Sequence, residues 1–243
     1  MKKFIFITLS FCMLALASCK KDKQELSDYQ ANLTIVNGIA DKDGLVWKFS
    51  EKEFTLDQFR SYYFNNGYFD SEQTVGVPIN KTVPITIADY NDTTQIVYKA
   101  KKEFKSGDLY TLYLSGQGLA IDTLMVKESD IPYHSYRDSM MSVRFVNIAS
   151  ELESINVNLA GKPLGSEVTN LKYQGITTFK TYPAKIKDTR YSFEFHDSVT
   201  GELLGVYQFD PNNFNYRVPR FKTLSLIFKG LKDWGFRVVR VDY

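Results

Sequence analysis

Apolar and polar residues alternate over most of the chain, and a period of two predicts β-strands rather than helices. In one clear case Ile155, Val157 and Leu159 alternate with Asn156 and Asn158. Runs of this kind recur about every ten residues with turn residues between them, which is typical of an antiparallel sandwich. The predicted strands are 33–36, 83–87, 95–98, 109–114, 123–126, 143–146, 155–159, 176–179, 191–195, 203–207, 224–228 and 236–241.

The pattern also repeats within the chain. Residues 33–37 recur as 143–147, and both runs end in Val-Asn. Residues 111–116 recur as 223–226, with Gly230 closing the second run. Since a spacing near a hundred residues matches one sandwich domain, we expect two domains, at 31–128 and 142–243. Residues 129–141, where Pro132 helps to break the alternation, are the expected linker.

The amino terminus has the features of a bacterial export signal. Lys2 and Lys3 precede the apolar run 4–17, which is too short to cross a bilayer core that needs about twenty residues. The run ends in Leu16-Ala17-Ser18-Cys19, which resembles the lipobox of bacterial lipoproteins. The resemblance implies cleavage of the signal peptide 1–18 and acylation of Cys19 on its sulfur and its new amino group, with 19–30 as a lipidated tether.

The lipobox, the two predicted sandwiches and the Val-Asn ends of their first strands together resemble the tandem immunoglobulin-like surface lipoproteins of Gram-negative bacteria. Most of those modules have no known function. The resemblance implies an all-β fold of two tandem antiparallel immunoglobulin-like sandwiches. It also implies a lipid anchor in the outer membrane, on either the cell-surface or the periplasmic face.

Composition and charge exclude several classes of protein. The chain has 243 residues, of which 44% are hydrophobic, and a formal charge of +2 to which Lys2 and Lys3 contribute. Such a balance gives no reason to expect nucleic acid as a partner. Both cysteines, Cys12 and Cys19, lie in the amino-terminal segment, so a disulfide scaffold and a cysteine metal site are excluded. We expect no cofactor.

No catalytic motif stands out. The chain has only two histidines, His134 in the expected linker and His196 between Phe195 and Asp197. Neither pairs in sequence with an obvious nucleophile. Glu194, His196 and Asp197 are interpreted as solvent-facing residues at a strand end. The sequence therefore favours a protein without enzymatic activity.

Two acidic loops are candidate calcium sites, because this ion needs several oxygen ligands converging on one loop. Asp41 and Asp43 flank Lys42 in the first loop, and the second contains Asp89, Asn91 and Asp92. Both loops are interpreted as turns, and no metal site is expected.

Aromatic residues are the candidate ligand-binding groups. Asn66-Gly67 is typical of a type I′ hairpin turn within the aromatic stretch 59–70. A second aromatic loop spans 210–219. These rings either stack on a ligand or form a local core, whereas Trp47 and Trp234 are expected to be buried. The candidate binding residues are Tyr62, Tyr63, Tyr68, Phe69, Phe214 and Tyr216.

The resulting hypothesis is a noncatalytic envelope lipoprotein that acts as a cell-surface binding module, with glycans as the suggested ligands in an accessory role in nutrient uptake. The alternative is a structural or adhesive subunit of a surface assembly, joined to other proteins by strand addition at a sheet edge. An envelope hydrolase is a third possibility, and it would require a convergent pair of acids, or an acid with His196, in a cleft. The expected partners are the membrane, through Cys19, and a glycan or envelope protein.

Overall fold

The computed structural model describes residues 29–55, 63–65, 72–185, 191–209 and 219–243. These residues form an all-β fold, as predicted, and contain no helix long and apolar enough to cross a membrane. The strands are β1 (Tyr29–Ile39), β2 (Gly44–Lys48), β3 (Tyr63–Asn65), β4 (Glu72–Pro78), β5 (Thr82–Asp89), β6 (Ile96–Glu103), β7 (Leu109–Gln117), β8 (Ala120–Lys127), β9 (Met140–Asn147), β10 (Ser154–Leu159), β11 (Val168–Lys172), β12 (Lys180–Pro183), β13 (Ser192–Asp197), β14 (Leu203–Gln208), β15 (Thr223–Leu231) and β16 (Gly235–Asp242).

The strands form four sheets of four strands each. Sheet A has the order β4-β1-β7-β8 and sheet B the order β3-β2-β5-β6. Sheet C has the order β12-β9-β15-β16 and sheet D the order β11-β10-β13-β14. Sheets C and D therefore repeat sheets A and B with every strand number raised by eight. The sequence repeat is a repeat of topology between a first half, β1–β8, and a second half, β9–β16.

Strand pairing is antiparallel except at the centres of sheets A and C. There β1 pairs with β7, and β9 pairs with β15, in parallel. Parallel neighbours need a long crossover, and in each half that connection passes through the other sheet of the sandwich. These two ladders depart from the wholly antiparallel sheets that the sequence led us to expect.

Each half encloses its own apolar core. Alternate residues of sheet A, such as Leu33 and Ile35, pack against Ile87 and Trp47 of sheet B. Trp47 is buried, as predicted, with 7% of its surface exposed. Sheets C and D enclose the equivalent core, in which a group of aromatic rings dominates: Phe145, Phe193, Phe195, Phe209 and Phe228.

A third apolar cluster joins the halves by packing sheet A against sheet C. Val36 and Tyr113 from sheet A meet Val146, Ile227 and Val239 from sheet C. The layers therefore follow the order B, A, C, D. Since sheets A and C are covered on both faces, their central strands are nearly continuous buried runs.

A buried ion pair lies at one side of this contact. Arg144 Nη2 donates to Glu128 Oε1 at 2.6 Å, and both side chains are almost fully buried. The Arg144 guanidinium also donates to Ser225 and to the hydroxyls of Tyr113 and Tyr243. Although burial disfavours its charge, the hydrogen bond to Glu128 keeps the pKa of Arg144 above its ordinary value. Burial likewise raises the pKa of Tyr113 well above its ordinary value.

The Val-Asn repeat has a structural cause. Asn37 Oδ1 accepts the backbone N–H of Ile39 at 3.1 Å, and Asn147 Oδ1 accepts that of Ala149 at 3.1 Å. Both amide nitrogens donate to backbone carbonyls, those of Lys42 and Leu171. A buried Asn thus satisfies the backbone where the first strand of each half ends.

Some local predictions were wrong. Residues 176–179, expected as a strand, form only a bridge at Ile176, and β12 begins after them at Lys180. Strand β3 pairs with β2. The predicted turn Asn66-Gly67 and the hairpin strand after it lie outside the described residues.

Candidate functional site

The loops of both halves gather at one end of the molecule. Lys229 Nζ donates to the carbonyl of Asn37 at 2.7 Å, so the carboxyl ends of β15 and β1 lie together. Strand β1 of sheet A and strand β15 of sheet C therefore point toward the same end of the molecule. The loops that follow β1, β5 and β7, and their equivalents after β9, β13 and β15, form what we call the distal end. It lies opposite Tyr29, where β1 begins.

In the first half, Lys42 links two loops of the distal end. Lys42 Nζ lies 3.0 Å from Asp89 Oδ2, and it donates to Gln95 Oε1 at 3.0 Å. Asp41 Oδ2 lies 3.9 Å from the same nitrogen. The Lys42 and Asp89 side chains are both largely buried, so this is a paired internal charge rather than a surface contact.

The two candidate calcium loops thus meet around the ammonium group of Lys42. The second oxygen of Asp89 accepts the N–H of Asn91, and Asp92 accepts that of Thr94, as expected for turns. Side-chain hydrogen bonds from Thr94 and Gln95 hold the pKa of Asp92 below its ordinary value. In the part of the chain that the structure describes, no cluster of three or more His, Cys, Asp or Glu side chains is arranged to hold a metal ion.

The second half repeats the same framework. Glu151 Oε2 accepts the backbone N–H of Lys232 at 2.6 Å, just as Asp41 accepts that of Gly118 at 3.0 Å. Asp197 Oδ1 accepts the N–H of Val199 at 2.7 Å, just as Asp89 Oδ1 accepts that of Asn91. These hydrogen bonds identify Glu151 and Asp197 as the counterparts of Asp41 and Asp89.

Backbone pairing extends the equivalence to the turn between the last two strands of each outer sheet. Asp89 N–H donates to the carbonyl of Gln95, and Asp197 N–H donates to that of Glu202. Glu202 therefore stands where the first half has Gln95. Counting from the Val-Asn motif, Leu152 stands where the first half has Lys42.

A pocket of about 430 Å³ lies at this position in the second half. Its lining includes the acidic residues Glu151, Asp197 and Glu202 and the apolar residues Leu152 and Phe236. The remaining lining residues are Thr200, Leu203, Leu204 and Lys232. A small concave site with a few polar groups set among apolar ones is typical of ligand-binding pockets.

An exposed aromatic residue lies in the same hairpin as two residues that line the pocket. Trp234 lies in the turn between β15 and β16, between the lining residues Lys232 and Phe236, and 58% of its surface is exposed. The prediction that Trp234 is buried was wrong, because it lies at the tip of a hairpin rather than on the strand that follows. The tip of the equivalent hairpin in the first half carries Leu119, which is 97% exposed.

The residues that the sequence singled out lie elsewhere. Tyr63 is in β3, where its backbone pairs with Val46. His196 lies at 3.5 Å from Glu194, next to the turn that Asp197 holds. The remaining candidates lie outside the described residues: Cys19, Tyr62, Tyr68, Phe69, Phe214 and Tyr216.

Sequence reasoning missed Glu151, Leu152, Glu202 and Trp234. The signal that could have found Glu151 and Leu152 is the repeat itself, whereas Glu202 is identified by the backbone pairing of its turn. Extending the alignment past Asn37 and Asn147 aligns Asp41-Lys42 with Glu151-Leu152. A lysine in the first half is therefore equivalent to a leucine in the second. Trp234 has no such signal, because only the hairpin geometry decides its exposure.

Comparison with known proteins gives little further information. No family model and no curated protein matches the chain. One solved structure with a match is CBMbc, a family CBM26 module of Eubacterium rectale Amy13K in complex with maltoheptaose. The match is 11% identical, covers 87% of this chain and 96% of that chain, and has a TM-score of 0.26. At that TM-score the similarity supports neither a shared fold nor a shared ligand.

Proposed function

We propose that the protein is a lipid-anchored, noncatalytic binding module of a bacterial envelope, and that it holds a glycan at the distal end of its second half. The observation that carries the proposal is the pocket itself, whose lining combines carboxylates with apolar side chains, and which shares a hairpin with the exposed Trp234. Aromatic faces stack on the apolar faces of sugar rings, and carboxylates accept hydrogen bonds from their hydroxyl groups.

The direction of β1 supports the same proposal. The chain between Cys19 and Tyr29 would enter the fold at the end opposite the pocket. Eleven residues of β1 then span about 35 Å at roughly 3.3 Å per residue. An acylated Cys19 would hold that end near the membrane and leave the pocket facing away from it.

Replacement of Trp234 tests the site. We expect Trp234→Ala to weaken glycan binding about tenfold or more, because truncating an aromatic anchor commonly costs roughly 2 kcal/mol or more. The measurement is isothermal titration calorimetry with the full chain in detergent, against oligosaccharides selected by a glycan array. Leu119→Ala, at the equivalent hairpin tip of the first half, is the matched control and should bind as the wild type does. Equal affinity of both variants would remove the pocket from the proposal.

The anchor and its sidedness need separate experiments. We expect Cys19→Ala to move the protein from the membrane fraction to the soluble fraction. Protease shaving of intact cells, with a periplasmic protein as control, then shows on which face of the outer membrane the protein lies. Loss of the chain while the control survives would support the cell surface, and full protection would direct the search to periplasmic partners.

The convergence of acids in a cleft also favours a second candidate, a glycoside hydrolase, because such enzymes use two carboxyl groups across the scissile bond. In the pocket, however, Asp197 Oδ1 accepts two backbone N–H groups and Glu151 Oε2 accepts a third. These bonds give both carboxylates a structural role in holding turns. Release of reducing ends from a bound oligosaccharide, abolished by Glu202→Gln, would establish the hydrolase instead.

The structural-subunit alternative finds less support in the described edges. The edge strand β6 carries Lys99, Lys101 and Lys102, a pattern that opposes strand addition. Strand β16 is fixed by Val239 and Val241 in the contact between the halves, and by the Tyr243 hydroxyl near Arg144. That arrangement favours an internal edge over a strand exchanged with another protein.

A further inference from the structure

The comparison between the halves points to the charge of the ligand. In the first half, Asp41, Asp89 and Gln95 surround the ammonium of Lys42. In the second half the counterparts of these three residues, Glu151, Asp197 and Glu202, line an open pocket. Equivalent positions therefore hold a positively charged nitrogen in the first half and line a pocket in the second.

Two substitutions between the halves explain the difference. Leu152 replaces the lysine, so the internal ammonium is missing. Glu202 replaces the neutral amide of Gln95, which adds a negative charge to the position that the amide occupied. The second half therefore lacks the internal ammonium and carries one more carboxylate at this position.

Lys232 does not take over the role of Lys42. It is the counterpart of Gly118, and its backbone N–H makes the bond to Glu151. Within the described residues, its ammonium forms no ion pair with Glu151, Asp197 or Glu202 at 4.0 Å or less. Asp197 Oδ2, the counterpart of the oxygen that binds Lys42, likewise has no hydrogen-bond donor there.

We propose that this pocket binds an ammonium group of the ligand at the place of the missing lysine, and that the ligand is an amino sugar with a free amine. The inference rests on the proposed function, since the saccharide part follows from the apolar lining residues and the exposed Trp234 in the neighbouring turn. The amine part follows independently from the first half, where equivalent side chains hold an ammonium at 3.0 Å. Charge-assisted hydrogen bonds of this kind are the stronger ones.

The test compares two ligands that differ only in charge. Titration calorimetry with the full chain measures a glucosamine oligosaccharide with free amines against the matching N-acetylglucosamine oligosaccharide. We expect the free amine to bind about tenfold more tightly or better, which corresponds to about 1.4 kcal/mol. Equal binding of the two would overturn the amine assignment and leave the glycan proposal standing. Absence of binding by both would overturn both.

Two variants make the test specific. Glu202→Gln copies the first half and should cost the free-amine ligand most of its advantage over the N-acetyl ligand, measured as the ratio of the two affinities. Leu152→Lys restores the internal ammonium and should abolish amine binding, whereas Leu152→Met preserves volume without charge and should retain it. Circular dichroism checks that each variant is folded, and Glu202→Gln, at an exposed position, keeps the test valid if Leu152→Lys does not fold.

Two further ligands separate other occupants. Lysine amide offers an ammonium without a sugar ring, and binding as tight as that of glucosamine would overturn the saccharide assignment in favour of a protein side chain. Calcium chloride offers a metal cation. Tight calcium binding that Glu202→Gln abolishes, with no response to the amine, would overturn the proposal in favour of a metal site.

Discussion

At the scale of single residues, the clearest feature is the buried ammonium of Lys42. In the sequence, Lys42 disfavours a calcium site because its positive charge lies between Asp41 and Asp43. In the structure it is the cation of its site, since Asp89 and Gln95 reach it from a turn 47 and 53 positions along the chain. A buried charge persists only when it is paired, so Lys42 and Asp89 depend on each other.

We expect Lys42→Met to destabilise the protein by about 3–5 kcal/mol, because it leaves Asp89 largely buried without its partner. Urea unfolding followed by circular dichroism measures the loss. Lys101→Met is the matched control: its partner Glu51 is exposed, and such surface pairs contribute about 0–1 kcal/mol. Similar losses in the two variants would mean that the Lys42 pair is no more important than a surface pair.

At the scale of elements, the turn after β7 and the turn after β15 are built in the same way. Gly116 and Gly230 have φ of +96° and +110°, a region that favours glycine. A Cβ atom would lie 2.1 Å from the carbonyl oxygen of Ala120 in the first turn, and 2.3 Å from that of Gly235 in the second. The repeated glycine noted in the sequence therefore closes a tight hairpin in each half.

We expect Gly230→Ala to destabilise the protein by more than about 2 kcal/mol, since strained backbone and a clash with backbone act together. Thermal unfolding measures the change. Gly107→Ala separates the two causes, because Gly107 has φ of +78° but open space around its Cβ position. If the two variants lose equal stability, the clash contributes nothing.

At the scale of the whole molecule, the packing of sheet A on sheet C combines two similar halves into four layers. Apolar residues form most of this contact, but Arg144 and Glu128 form a buried ion pair within it. Desolvation of two charges offsets much of their attraction. The pair therefore has its largest effect when one partner is removed.

We expect Arg144→Met to cost about 3–5 kcal/mol of stability, because Glu128 is then buried without a counter-charge. The double variant Arg144→Met/Glu128→Met should recover a large part of that loss, since an apolar pair can replace a buried ion pair. A double-mutant cycle by urea unfolding gives the coupling. If the losses simply add, the two residues are not coupled.

Prediction from sequence succeeded where the signal is local. The alternation of Ile155, Val157 and Leu159 with two asparagines gave β10, and the recurrence of Val-Asn gave the topological repeat. The prediction that Trp234 is buried failed, because the exposure of this residue depends on the geometry of a turn. The predicted strand 176–179 was also wrong, because these residues alternate without pairing as a strand, apart from a bridge at Ile176. Lipidation of Cys19 and the domain boundaries remain predictions.

The sequence by itself therefore determined the strand content, the repeat and the burial of Trp47, because alternation and recurrence are properties of neighbouring positions. Only the tertiary structure decided that β1 pairs in parallel with β7, and that Lys42 meets Asp89 and Gln95. It alone placed Leu152 and Glu202 around a pocket. These contacts join residues far apart in the chain, so they depend on how the sheets stack, which no local pattern specifies.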